Sequence, residues 1–138
     1  MQELQAESAA CALTNPAASA KLNDARTNAT EAWANLSLTP PDGSSAIQKL
    51  REAASKVADA VTLGFDPVRG QELMDEAAGI AQQLATEAID AAIARGGNSS
   101  TILSAQTILM LGDTARLGGD FDQAIQDYRD ALDRANQA

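Results

Sequence analysis

The chain has 138 residues, the length of one domain, and its nineteen acids against ten lysines and arginines leave a net charge of −9. That balance does not build the basic face that a nucleic-acid backbone or an anionic membrane surface requires. Hydrophobic residues make up 45% but aromatics only 3%, so any core must be mainly aliphatic, and the single Cys11 rules out an internal disulfide.

Residues 1–14 are rich in alanine and glutamate and read either as a short helix or as a frayed terminus. Ser8-Ala9-Ala10-Cys11 has the outline of a lipoprotein cleavage site but lacks the preceding apolar stretch. A cytoplasmic location is therefore favoured, with a periplasmic or secreted one if a signal once preceded residue 1. Asn15-Pro16 is a cap followed by a first-turn proline and opens a helix. Leu22, Ala25, Ala29, Trp33 and Leu36 recur at helical spacing, with Trp33 expected as a core anchor, and Thr39-Pro40-Pro41-Asp42-Gly43 stops the helix near Leu38.

Ser44 and Ser45 are the expected caps of the next helix, whose stripe is Ile47, Leu50, Ala54, Val57 and Val61, with Gly64 as its stop. Asp66-Pro67 repeats the cap-and-proline signature. It opens the longest helix, which runs to about Arg95 with a wide apolar face centred on Leu73, Ala77, Ile80 and Leu84. Ser99 or Ser100 is expected to cap a helix carrying Ile102, Ala105, Ile108, Leu109, Leu111 and Ala115. After a turn at Gly118-Gly119, Asp120 caps a last helix lined by Phe121, Ala124, Ile125, Tyr128, Ala131 and Leu132. No period-two alternation occurs. Short connections join antiparallel neighbours, so the expected fold is all-α, an up-and-down bundle of four to five helices in a single domain.

The absence of histidine removes imidazole-dependent nucleophiles and the usual zinc and di-iron sites, and one cysteine cannot hold a thiolate cluster. No metal, cofactor or catalytic residue is implied. Acid–base work would fall to Asp113, Asp120, Asp122 and Asp127. Asp120 and Asp122, however, sit where a helix start favours anions, and Asp127, Asp130 and Asp133 share a wet face with Arg129 and Arg134.

Ile108, Leu111-Gly112, Ala124, Tyr128 and Ala131 fall at the signature positions of a helix–turn–helix unit, and the stretch 105–138 resembles a tetratricopeptide (TPR) repeat. Ile108 stands for the family's tryptophan, Ala115 for an aromatic and Asn136 for the closing proline, and no second copy precedes it. The likeness covers the C-terminal pair only, 99–137. In that family the first helix of a repeat lines a peptide-binding groove. By position, the groove residues here would be Gln106, Leu109, Asp113 and Arg116; the plainer reading leaves Leu109 in the core and the other three in water. The resemblance implies a non-catalytic module that binds a protein or peptide partner near this helix, without nucleic acid or membrane insertion. Other readings are a homodimer paired through the wide face of the longest helix, a carrier of an apolar ligand held between helices, and a carboxylate enzyme. Arginine in excess of lysine, with abundant alanine, leans toward a bacterial source.

Overall fold

A computed structural model describes the backbone of residues 2–138 and the side chains of residues 3–9 and 15–138. Cys11 thus lies outside the residues whose side chains are described. Among the described residues there are six helices and no strand: α1 (Gln2–Thr14), α2 (Pro16–Leu36), α3 (Gly43–Thr62), α4 (Pro67–Ala94), α5 (Ser99–Leu117) and α6 (Phe121–Gln137). The bundle is therefore one helix richer than the upper expectation, because residues 2–14 form a helix of their own.

Each junction follows from local chemistry. Asn15 Oδ1 accepts from the Ala18 amide, and Pro16 occupies the first helical position, where its missing N–H costs nothing. The cap of α3 is Asp42, not Ser44 or Ser45. Its two carboxylate oxygens accept from the Ser45 amide at 2.9 Å and the Ser45 hydroxyl at 2.7 Å, so the helix begins earlier than expected. Likewise Asn98, rather than a serine, caps α5 through the Thr101 amide. In both cases the short side-chain oxygen accepts from the amide three residues on, the usual N-cap bond. Gly64, Gly96 and Gly119 turn the chain with positive φ just beyond three helix ends.

Helices α3, α4 and α6 pack against one another in the middle. Helix α2 lies on α3 with α1 outside it, and α5 lies in the α4–α6 crevice. Alanine dominates the contacts: Ala46, Ala77, Ala78, Ala81, Ala85, Ala124 and Ala131 are fully or almost fully buried, which lets backbones approach closely around Ile47, Leu50, Ile125, Leu132 and Tyr128. A second cluster gathers Leu4, Leu22, Val57, Phe65 and Leu73 at the α1–α2 end. A third joins Ile89 and Ala92 to Ile102, Ala105 and Ala135. The wide face of α4, a candidate seam for pairing two chains, is covered from within by these clusters.

Two expected core residues lie outside. Trp33 is 51% exposed, because α2 turns Leu22, Ala25, Ala29 and Ala32 inward and so rotates the next residue into water. Leu111 is exposed for the same reason beside buried Gly112.

Side-chain clips hold the helices in register. Arg51 of α3 engages Asp122 of α6 through two parallel bonds and also donates to Gln126. Arg129 crosses in the other direction to Ser44 and Gln48, rather than joining the acids of its own helix. Ser8 and Ser19 form a small buried polar knot with Asn23 between α1 and α2, and Arg69 of α4 reaches back to Glu7.

Candidate functional site

Helix α5 is an edge helix with two apolar faces. Its inner face carries Ile102, Ala105, Ile108, Leu109 and Gly112, all buried or packed against core clusters. Its outer face carries Leu103, Met110 and Leu117, each seven residues from the next, at 63%, 67% and 91% exposure. Seven residues are almost two full turns, so the three side chains fall within a narrow arc. Thr107 and Thr114 interleave with them, and Gln106 and Leu111 flank the arc. No charged residue lies on it. The two charged side chains of α5, Asp113 and Arg116, turn toward α4 and α6 instead.

Beside this arc lies an open groove of about 460 Å³ between α4 and α5, lined by Asp75, Gln82, Asp113, Arg116 and Leu117. Its floor is a continuous hydrogen-bonded chain. Arg116 grips Asp75 with Nε to Oδ1 at 2.7 Å and a second nitrogen to Oδ2 at 3.2 Å, and its third nitrogen donates to Gln82 Oε1. Gln82 Nε2 in turn donates to Asp113 Oδ1 at 2.7 Å, and the Tyr128 hydroxyl donates to that same oxygen at 2.7 Å. Gly79 lies directly beneath the guanidinium; a Cβ there would stand 3.1 Å from it. The bidentate arginine holds the Asp75 carboxyl below its ordinary value, chiefly by hydrogen bonding, while burial of the Tyr128 ring holds its phenol well above 10.0.

These shifts bear on chemistry. A carboxyl serving as a general acid must be raised toward neutrality, and Asp75 moves the opposite way. Both groove carboxylates are committed to donors. Two other concavities are smaller: about 150 Å³ near Met74 and Phe121, and about 340 Å³ near Leu36, Leu84 and Leu132. Among the described residues no cluster of three or more carboxylates and thiols is arranged to hold a metal, and no helix is long and apolar enough to cross a membrane.

Of the four residues named from the family resemblance, Asp113 and Arg116 come together on the groove, linked through Gln82. Gln106 is exposed one turn away on the border of the apolar arc, and Leu109 packs inward. Sequence reasoning missed Asp75 and Gln82, which come from a different helix and carry no local signal. It also missed the Leu103–Met110–Leu117 arc, whose heptad spacing was legible but overlapped the core stripe of the same helix. No family model, curated protein or solved structure matches the chain.

Proposed function

We propose that the chain is a non-catalytic helical interaction module that binds a protein or peptide partner along α5. The observation that carries this reading is the charge-free arc of Leu103, Met110 and Leu117 on an edge helix of a protein with 21% charged residues. Interface centres are depleted in charge and enriched in large apolar side chains, and a solvated helix of a small acidic domain has no structural need for three exposed aliphatics in register. The adjoining groove supplies rigid polar groups at the arc's edge, with Leu117 common to both. The TPR-like signature of Leu111-Gly112, Ala124, Tyr128 and Ala131 supports a binding role for this helix pair. The committed state of Asp75 and Asp113 weighs against a carboxylate enzyme.

Affinity capture from the cells that express the protein tests the reading. The parent should retain a partner, Met110→Glu/Leu117→Glu should lose it, and Asp113→Ala/Arg116→Ala should weaken it. Equal capture by the parent and by both variants, with unchanged melting curves, would exclude α5 and its groove as the binding surface.

A further inference from the structure

We propose that the partner seated on α5 is a basic amphipathic helix, its apolar seam along Leu103, Met110 and Leu117 and its lysines and arginines over the acidic flanks that α4 and α6 provide. The proposal rests on the binding role assigned to α5 above and specifies what binds there.

The shape of the arc selects a helix. Three large side chains spaced by seven, with threonines between them, form a straight seam about 21 Å long from Leu103 to Leu117. Such a seam matches the a/d line of another helix. Strand addition, in which an extended peptide pairs its main chain with a free sheet edge, has no edge to use among the described residues.

Charge selects the sign of the partner. The seam itself is neutral, so it neither attracts nor repels. The helices on either side carry more acids than bases: residues 67–94 hold five acids against Arg69, with Asp75 paired to Arg116 of α5, and residues 120–137 hold five against Arg129 and Arg134, with Asp122 paired to Arg51 of α3. Arg69 is already held by Glu7 and Glu72, and Arg129 by Ser44 and Gln48. A partner with cationic edges gains on both sides of the seam.

A second copy of the chain is disfavoured on two counts. It would bring another −9 against the same acidic flanks. The seam is also too small, since a strip about 21 Å long and about 10 Å wide falls well short of the roughly 800 Å² per partner of a standard stable interface. A single peptide helix, bound reversibly, fits the area.

Fluorescence anisotropy with three labelled peptides of about 18 residues tests this. The first alternates leucine and lysine in a helical heptad, the second replaces lysine by glutamate, and the third keeps the lysines but replaces leucine by serine. The leucine–lysine peptide should bind the parent, at least tenfold more weakly to Leu103→Ser/Met110→Ser/Leu117→Ser, and more weakly as salt rises. The other two peptides should bind at least tenfold more weakly to the parent. The three substituted residues are exposed, so the variant's melting curve should match the parent's. Equal binding of the leucine–lysine peptide to parent and variant would overturn the seat. Equal binding of the leucine–glutamate and leucine–lysine peptides, still lost in the variant, would overturn the basic class while leaving α5 as a binding surface. Failure of all three peptides would overturn the proposal. If the parent also sedimented as a dimer and the variant as a monomer, the seam would belong to a second copy.

Discussion

At the scale of single residues, Gly112 and Tyr128 fix how closely α5 approaches α6. Tyr128 is the largest fully buried side chain, and its ring lies against the backbone of Gly112. A Cβ at Gly112 would stand 2.7 Å and 2.8 Å from two ring carbons, and the ring cannot retreat because its hydroxyl is anchored to Asp113. Gly112→Ala gains about 1 kcal/mol of helix propensity but incurs overpacking of about 1–3 kcal/mol. Its melting temperature should therefore fall below the parent's. Gly118→Ala serves as the control, since its Cβ meets nothing closer than 3.6 Å and its φ of −79° suits any residue; it should melt no lower than the parent. Both Gly112 and Tyr128 stand out in the sequence, because a glycine inside a helix and a tyrosine sixteen residues on form a recognisable pair. The hydrogen-bonded chain they abut does not stand out. Gln82 and Asp75 are ordinary polar residues until tertiary packing sets them opposite Asp113 and Arg116.

At the scale of elements, helix existence followed from caps, prolines and apolar recurrence, while the buried face is selected by packing between helices. In α2 the expected stripe ran through Trp33 and not its neighbour Ala32. Packing against α3 favours the alanine, because close helix approach needs a small residue at the contact. Helix α1 was ambiguous for a related reason: it buries only Leu4 and Ser8 among its described side chains, too few to form a visible period. Its docking is opposed by Glu76 of α4. That carboxyl is raised above its ordinary value, first by burial and then by the charge of Glu3. A raised carboxyl favours the folded state when protonated, so its contribution is full in acid and is lost as pH rises through the folded value. At neutral pH the charged form thus strains the α1–α4 contact. Glu76→Gln should raise the urea midpoint at pH about 7, and the gain should shrink toward zero below pH about 4. A variant no more stable than the parent at neutral pH would show that α1 carries no such strain.

At the scale of the whole molecule, titration bounds stability on both sides. Asp75 and Asp122 are held below the ordinary 3.8, each first by hydrogen bonding to its arginine. Groups lowered in this way stabilise the fold above their unfolded value, and the contribution is lost as pH falls through the folded one. Tyr128 has the opposite sign: its folded value is raised, so its contribution is intact below 10.0 and declines as pH rises beyond that. Denaturation midpoints across pH should therefore form a plateau that falls at both ends. Arg51→Gln/Arg116→Gln should lower the plateau and flatten the acid limb, and Tyr128→Phe should flatten the alkaline limb. Acid and alkaline limbs unchanged in these variants would mean that other groups set them. Fold class was legible in the sequence at this scale because five amphipathic segments with short links have few ways to bury their stripes. The exposed apolar arc of α5 was legible only in part, since an apolar residue at helical spacing reads the same whether it faces a neighbour or water.

The placement of the two most optically active side chains has a practical corollary. The one tryptophan, Trp33, already samples solvent in the native state, whereas the one tyrosine, Tyr128, sits at the centre of the bundle. Indole emission should scarcely change in wavelength on denaturation, and a fluorescence melt could look flat while the bundle comes apart. Near-ultraviolet dichroism from the immobilised phenol would report the loss of tertiary order, and the indole is better kept as a local gauge of whatever touches the end of α2.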